Sequence, residues 1–300
     1  MAARIRIDRS GPITSVQDSG RFGQLELGIS ASGPMDRVAF GEAGPLAGDG
    51  AGAGIEFSML GIAFSVLEGE VSVGWAGGQF AVAVNETAQA WPGNGLLRAG
   101  DQLTILPGPA GNYGYVRFAG ELDIAPVLGS RATNLRARIG GLGGRVLEAG
   151  DEIGILGNGA VPLVDDVAEV VEGPIRFIWG LHAEIFSDAV RQMFVTERFR
   201  VTSMMDRMGV RLRDEAGVFG TAGILSLVSD PVVCGDIQVL GDGTPIVLGR
   251  DHQPTGGYPR IGTVISADLD RFFQLRPNSE VAFAPVRLEH AQALLRGGTV

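Results

Sequence analysis

Lysine is absent from the chain. All 24 residues counted together as lysine and arginine are arginine. A Walker phosphate loop, a Schiff base and a biotin attachment site each require a lysine amine, so this chain can supply none of the three. Cys234 is the only cysteine, which excludes an internal disulfide. A lone thiol among apolar neighbours is usually a small core residue.

Histidine is also scarce, and the three residues are His182, His252 and His290. They show no His-x-His spacing, and the chain contains no HExxH or paired CxxC motif. We therefore expect no metal site. A GxSxG nucleophile elbow is missing as well, so the familiar serine-hydrolase interpretation has no support.

Long apolar runs and excess positive charge are missing too. No run approaches the roughly 18 residues that a membrane span needs, and the first residues lack the apolar stretch of a signal peptide. The formal net charge of −10 would repel nucleic-acid phosphates and anionic lipids. We expect a cytoplasmic protein without nucleic-acid or membrane partners.

The residues that are present predict a mainly β fold with a few short helices. Glycine occurs 47 times without a period and separates brief β-branched or aromatic segments, a spacing that favours barrels or sandwiches. Predicted strands include 62–67, 71–75, 103–106, 113–118, 246–248 and 281–283. Predicted helices are 36–46, 183–193, 267–274 and 288–296.

A length of 300 residues favours two domains. We place the boundary near residue 170, in the acidic stretch 164–173, giving lobes 1–170 and 171–300. Two short sequences recur along the chain. Ala-Gly-Asp opens a predicted strand at 99–101 and again at 149–151, which we interpret as a generic turn. Met-Asp-Arg occurs at 35–37 and at 205–207, which makes two related lobes plausible.

The densest candidate for a site is the segment 235–262. After a buried-looking strand the chain concentrates charged, amide, hydroxyl and glycine residues in one loop, 250–258. Adjacent glycines allow close approach of a ligand, and the polar side chains offer both hydrogen-bond donors and acceptors. A solvated turn is the alternative interpretation.

Two further segments combine charge with apolar or turn-forming neighbours. In 201–212, Asp206 and Arg207 lie among methionines, so Arg207 could hold a carboxylate or phosphate, or could form a structural salt bridge with Asp206 or another acid. In 17–36, Asp36 is a third candidate, with turn stabilisation as the alternative.

Four segments in order resemble one family: TSVQDSGRFG, GISASGPMDRVAF, VTSMMDRMGVRL and GDIQVLGDGTPIVLGRDHQPTGGYPRIGTVISADL. They are similar to the carboxyltransferase-domain family, subdomains A and B. This family comprises the C subunit of bacterial 5-oxoprolinase, also called allophanate hydrolase subunit 2, the KipA-like proteins and the carboxyltransferase part of urea carboxylase and urea amidolyase. The resemblance runs from about residue 4 to about residue 290, nearly the whole chain.

The resemblance implies two cyclophilin-like β-barrel lobes, with a subdomain A-like lobe at 1–170 and a subdomain B-like lobe at 171–300. It also implies a hydrolase subunit, inactive alone, that joins a KipI-like B subunit and an A subunit. That complex would use ATP to open 5-oxo-L-proline, a lactam, to L-glutamate, although this chain carries no nucleotide motif. The alternatives are a carboxyltransferase subunit using biotin on a partner chain, and a noncatalytic KipA-like regulator of a KipI-type protein.

Three positions depart from the pattern of the relatives. Pro254 replaces a residue with a backbone donor before the TGGYP segment. Glu121 places a charge where relatives often have glycine, and Trp179 lies where they often carry an LPGP turn. We expect these departures to affect which substrate is bound more than they affect the fold.

Roles for the site follow from chemistry. We expect Arg207 to pair with a substrate carboxylate, and Asp251 and Gln253 to orient an amide or a water molecule. The glycine backbone would contact the ligand, and Tyr258 would supply a wall and one hydroxyl. The predicted catalytic residues are Asp206, Arg207, Asp251 and Gln253, and the predicted substrate-binding residues are Asp36, Gln238, Thr255, Gly256, Gly257 and Tyr258.

Overall fold

The computed structural model describes residues 2–48, 52–157, 172–220 and 226–296. The chain divides into two compact units, one formed by Met1–Gln24 with Ala31–Ala168, the other by Leu25–Ser30 with Glu169–Val300. The boundary predicted near residue 170 lies outside the described residues. Strands account for 42% and helices for 15%, which confirms the mainly β prediction.

The first unit is one curled sheet with a single α-helix among its described residues. Helix α1 spans Arg37–Ala47. The strands are β1 (Ala3–Arg9), β2 (Ser15–Gln17), β3 (Gly54–Ser58), β4 (Ile62–Val84), β5 (Thr87–Gln89), β6 (Gly93–Arg98), β7 (Gln102–Phe118), β8 (Glu121–Leu122) and β9 (Glu152–Leu156). The order of the main path through the sheet is β2-β3-β7-β4-β1-β9-β8, with β5 and β6 also paired to β4.

Two long strands, β4 and β7, curl this sheet into a nearly closed barrel. Ile105 of β7 pairs with Ile62 at the start of β4 and with Val82 near its end. A flat strand could not place both of its ends beside one residue, so β4 bends around β7. Irregular register at Gly77 and Gln79 marks part of the bend, as β-bulges commonly do.

A buried cluster of aliphatic and aromatic side chains fills the first unit. Trp75, Phe57, Phe64 and Phe118 are among its largest members, and each is almost fully buried. Phe64 and Phe118 meet edge to face with ring centroids 5.7 Å apart. Burying such side chains contributes about 1.5–3 kcal/mol each relative to exposure, so this cluster holds the curled sheet together.

Helix α1 begins at a side-chain cap and packs against a glycine of β4. The Oδ1 atom of Asp36 accepts a hydrogen bond from the Ala39 amide at 2.9 Å, which is the N-cap interaction. A Cβ at Gly74 would lie 2.3 Å from the Ala43 carbonyl oxygen. Glycine at that position therefore lets the helix backbone approach the strand.

The second unit is an eight-stranded curled sheet with three α-helices among its described residues and a small two-stranded ribbon. The strands are β10 (Ile175–Trp179), β11 (Phe199–Met205), β12 (Gly209–Arg213), β13 (Asp230–Pro231), β14 (Asp236–Val239), β15 (Pro245–Leu248), β16 (Thr255–Gly256), β17 (Arg260–Val264), β18 (Glu280–Val281) and β19 (Phe283–Pro285). The order of the large sheet is β18-β11-β12-β15-β14-β17-β10-β19, and the ribbon is β13 with β16. The helices are α2 (Asp188–Thr196), α3 (Ser266–Phe273) and α4 (Leu288–Leu295).

Aromatic rings form a large part of the core of this unit. Phe194 of α2 stacks on Phe283 with centroids 5.0 Å apart and meets Phe177 at 5.2 Å. Phe199 of β11 lies 5.5 Å from Phe194. One helix and three strands therefore share a single aromatic cluster.

The predicted segments are close to the observed elements, with three differences. The predicted strand 281–283 covers the end of β18 and the start of β19, which are separate strands. The predicted strands 62–67 and 71–75 are parts of the single strand β4, and 103–106 and 113–118 are parts of β7. The predicted helix 183–193 is divided into a 3-10 turn at Ala183–Ile185 and α2. The division occurs because Ser187 accepts from the Val190 amide and so starts a new helix.

The repeated Ala-Gly-Asp segments are turns, as interpreted from sequence. Asp101 accepts from the Arg98 amide at 2.7 Å, and Asp151 accepts from the Glu148 amide at 2.8 Å. Gly100 has φ +93° in the first turn.

In the described residues, no helix is both long enough and apolar enough to cross a membrane.

Asp268 of α3 joins this helix to strand β10. Its side chain is fully buried and accepts from the Arg176 amide at 2.7 Å, from the Arg176 guanidinium at 2.6 Å and from the Arg271 guanidinium at 2.7 Å. Burial alone would raise the pKa of Asp268, but these hydrogen bonds outweigh it and hold the pKa below its usual value.

We predict that Asp268→Asn lowers the free energy of unfolding by about 3 kcal/mol, because it removes one side of a buried ion pair. A depressed pKa stabilises the fold above the unfolded-state value and loses that contribution as the pH falls. The difference between the variant and the unmodified chain should therefore shrink below about pH 4. Urea unfolding of both proteins at several pH values measures this difference in the free energy of unfolding. The control is Asp188→Asn, which alters a solvent-exposed pair with Arg191 and should leave the midpoint unchanged.

Candidate functional site

Strand β14 of the second unit supplies the polar groups at the centre of the site. Side chains of a strand alternate between faces, so Ile237 and Val239 lie on one face, and Asp236 and Gln238 lie on the other. All four are buried. A buried acid and a buried amide are costly unless they are hydrogen-bonded, so their partners indicate how this face of the sheet is organised.

Arg260, the first residue of β17, neutralises two carboxylates beside this strand. Its Nη1 donates to Asp236 Oδ2 at 3.2 Å and to the Pro231 carbonyl at 2.9 Å, and its Nη2 pairs with Asp230. Asp236 also accepts from the Thr263 hydroxyl at 2.6 Å. The network connects the ribbon strand β13 to the main sheet.

The small ribbon of β13 and β16 holds the loop after β15 against the polar face of β14. The Val232 amide donates to the Pro254 carbonyl at 3.0 Å, and the Leu227 amide donates to the Gly257 carbonyl at 2.6 Å. Pro254, which lacks a backbone donor, thus still contributes its carbonyl group. These bonds fix both ends of the segment 254–257.

Gln238 lies directly beneath this segment with an unused donor. A Cβ on Gly256 would stand 2.4 Å from Gln238 Nε2, so only glycine fits without displacement. Oε1 of Gln238 accepts a long bond of 3.5 Å from Gln253. Nε2 is buried and has no hydrogen-bond partner among the described residues. Leaving a buried donor unpaired costs about 1–3 kcal/mol, and an acceptor on a ligand would relieve that cost.

Arg207 and Asp251 form a buried, bidentate ion pair at the other end of the loop. Arg207 Nε donates to Asp251 Oδ2 at 2.9 Å, and Nη2 donates to Oδ1 at 3.2 Å. Both side chains are 2% exposed. The Asp251 amide also donates to the Arg207 carbonyl at 2.8 Å. The hairpin turn after β11 and the loop after β15 are therefore joined by side chain and backbone alike.

His252 follows this ion pair and is buried. Its Nδ1 lies 2.6 Å from the Gln253 carbonyl oxygen. Burial lowers the pKa of His252, while the Gln253 carbonyl and the carboxylates of Asp236 and Asp251 oppose the shift only in part. The ring is therefore neutral at pH 7.

A match to a family model decides the family of the chain. The model described as "Carboxyltransferase domain, subdomain A and B" matches residues 27–285. The chain belongs to this family. The C subunit of 5-oxoprolinase from Escherichia coli is 33% identical over 96% of this chain and 93% of its own length. The Haemophilus influenzae protein of the same name is 30% identical over 94% of this chain and 91% of its own length.

Other members of the carboxyltransferase-domain family carry this domain within much longer chains. Urea amidolyase from Lachancea kluyveri is 28% identical over 95% of this chain, which corresponds to 17% of that protein. The structure of K. lactis urea amidolyase superposes with a TM-score of 0.86 at 24% identity, covering 98% of this chain and 19% of that one. This likeness shows the fold alone.

Several predicted site residues come together within the second unit of this carboxyltransferase domain. Gln238, Gln253 and Gly256 meet under the loop, and Arg207 pairs with Asp251. The Gly257 carbonyl accepts a hydrogen bond from the segment before β13, while Thr255 and Tyr258 are exposed residues of the loop.

The structure gives Arg207 a different partner from the expected substrate carboxylate. The guanidinium group of Arg207 faces Asp251, and both groups are buried. This arrangement is the structural salt bridge given above as the alternative interpretation, with Asp251 instead of Asp206 as the acid. Asp206 is exposed and accepts from the amides of Met208 and Gly209, so it stabilises the hairpin turn. Asp36 belongs to the first unit and caps α1.

The two Met-Asp-Arg segments therefore occupy different structures, a helix start and a hairpin turn. The other departures from the family pattern have local partners: Glu121 pairs with Arg131 at 3.3 Å, and the ring of Trp179 packs 5.0 Å from that of Phe177. Neither residue is part of the loop 250–258.

Three residues of the cluster were missed from sequence: Asp236, His252 and Arg260. His252 lies inside the loop that the sequence singled out, so the signal was present but was not used. Asp236 begins β14 and Arg260 begins β17, each next to apolar residues in the sequence, where charged residues need partners. That rule could have identified both as a buried pair.

We predict that Gly256→Ala lowers the free energy of unfolding by about 1–2 kcal/mol, because the added methyl group displaces the buried Gln238 amide. Amide hydrogen exchange in the loop should become faster. The matched control is Gly241→Ala, since a Cβ at Gly241 meets nothing within 4 Å. Equal stability of the two variants would show that the loop does not rest tightly on Gln238.

Proposed function

We propose that this chain is the C subunit of a 5-oxoprolinase-like complex, in which it acts with an A subunit and a KipI-like B subunit. The complex would open 5-oxo-L-proline to L-glutamate in an ATP-dependent reaction, in the cytoplasm. The observation that carries the proposal is the end-to-end match with the C subunits of two bacteria, which leaves less than a tenth of either relative unmatched.

The polar cluster of the second unit supports an amide or lactam as the ligand. The buried Gln238 amide has a donor to offer to a carbonyl oxygen, and Gln253 lies beside it. The glycine backbone of the loop allows the flat ring of a lactam to approach closely. Hydrogen bonds placed in this way would orient the amide before reaction.

Charge balance in the same cluster supports ATP handling by the partner subunits. The buried guanidinium groups of Arg207 and Arg260 and the partly buried one of Arg250 each face a carboxylate already. A triphosphate would have to compete with those carboxylates for the same cations. With lysine absent as well, we assign nucleotide binding to the partners and amide binding to this chain.

Arg207 acts in this proposal as a positioning residue. It holds Asp251, and Asp251 leads directly into His252 and Gln253. The substrate carboxylate that was expected to meet Arg207 must then find its partner elsewhere in the complex.

A carboxyltransferase subunit is the second candidate, supported by the 28% identity with urea amidolyase along almost the whole of this chain. In that case a partner chain carries biotin, because this chain has no lysine to hold it. The match covers only 17% of urea amidolyase, whereas the 5-oxoprolinase C subunit is matched nearly completely. A KipA-like regulator of a KipI-type protein would bind the same B subunit without turnover.

Reconstitution distinguishes the three functions. The chain and the A and B subunits encoded in the same genome are purified separately and together. Glutamate formation from 5-oxoproline is then measured with and without ATP. We expect turnover only when all three proteins and ATP are present, and co-elution of this chain with the B subunit at micromolar concentration. No turnover by a stably assembled complex would refute the lactamase assignment. Carboxylation of urea with a biotinylated partner would then favour the second candidate.

A further inference from the structure

We infer that Nε2 of His252 is the proton acceptor of this site, the atom that takes a proton from the molecule that attacks the bound amide. The substrate class rests on the proposed function. The assignment of the atom rests on the tautomer, the burial of the ring and the hydrogen bonds of the neighbouring acids.

The contact between His252 and Gln253 fixes the tautomer. A carbonyl oxygen can only accept a hydrogen bond, so the Nδ1 atom that lies 2.6 Å from it must carry the hydrogen. In a neutral imidazole the other nitrogen then has a free lone pair. Nε2 forms no hydrogen bond with any described residue, so this lone pair is available.

The neighbouring groups keep the ring neutral without taking its lone pair. Asp236 on β14, with Asp251 and Arg250 on the same loop, are the charged groups that act on His252. Burial has the largest effect and lowers the pKa of His252, so the free base is present at pH 7. A proton acceptor that must be unprotonated before each turnover needs this condition.

The carboxylates of the cluster are less suited to the role. Asp251 bonds with both of its oxygens to Arg207, and Asp236 accepts from Arg260, Thr263 and its own turn. The oxygen atoms of these two carboxylates already accept hydrogen bonds from those donors, so they are not free to take a proton. Of the three buried groups Asp236, Asp251 and His252, His252 is the one with an unused basic atom.

The proton transfer balances for lactam opening by water. The O–H bond of water breaks, its proton goes to Nε2, and the oxygen lone pair forms a bond to the carbonyl carbon while the π pair moves to the carbonyl oxygen. The C–N bond then breaks with its electron pair staying on nitrogen. That nitrogen takes the proton back from the imidazolium, and the carbonyl group re-forms as part of the new carboxyl group.

Nitrogen-15 NMR of the histidine side chains tests the tautomer on the intact chain without any substrate. The chain has three histidines, and His252→Asn removes one set of signals and so assigns His252. We expect hydrogen on Nδ1 and none on Nε2 at pH 7, with protonation only below the ordinary pH range of histidine. Hydrogen on Nε2, or a doubly protonated ring at pH 7, would overturn the inference whatever the reaction of the complex.

Kinetics of the reconstituted complex test the role. His252→Asn retains an amide donor toward the Gln253 carbonyl but has no basic atom, so turnover should fall by about 10²–10⁴-fold. The acidic limb of the pH profile for kcat/KM should disappear with it. His290→Asn, on α4 and outside the cluster, is the matched control and should leave both unchanged.

Each outcome of these experiments is decisive for one claim. Full activity of a folded His252→Asn complex would refute the role of His252 while leaving the proposed function intact. A wild-type complex without 5-oxoproline turnover would refute the proposed function, and the NMR result would then decide the assignment of the atom. If His252→Asn does not fold, the spectrum of the unmodified chain at varied pH still gives that decision.

Discussion

The buried ion pair between Arg207 and Asp251 is the constraint on which the candidate site depends. Two charges removed from water are stable only with near-ideal geometry, and this pair has two parallel hydrogen bonds and a backbone bond between the same residues. The pair fixes the start of the loop at the hairpin turn. The ribbon of β13 and β16 fixes its other end, so His252 and Gln253 are held between two anchored points.

The curled sheet provides the rigid support for this loop. Strand β14 lies between β15 and β17 and is buried on both faces, with apolar residues on one and Asp236 and Gln238 on the other. Two buried acids of the site are each paired with an arginine, Asp236 with Arg260 and Asp251 with Arg207. The Gln238 amide is the exception, and an unpaired buried donor on a central strand is the kind of local cost that proteins accept at binding sites.

Much of the fold could be predicted from the sequence because its signals are local. Short β-branched segments between glycines indicate strands, and Asp36 indicates a helix start. The continuity of β4 and β7 could not be predicted. Bulges at residues such as Gly77 let a strand bend and continue, whereas a glycine in the sequence normally suggests that the strand ends. Within the site, the loop was found by its composition, but the partner of Arg207 lies 44 residues away. Spacing along the chain does not reveal such a pairing, so Asp251 could not be identified from sequence as the acid that faces Arg207.

A double-mutant cycle on Arg207 and Asp251 tests most directly whether this pair anchors the loop. The free energy of unfolding is measured for the unmodified chain, Arg207→Met, Asp251→Asn and the double variant. If the pair is a single interacting unit, the double variant is less destabilised than the sum of the two single changes, with a coupling free energy of about 2 kcal/mol or more. Additive effects, within about 0.5 kcal/mol, would contradict the claim that the ion pair holds the site.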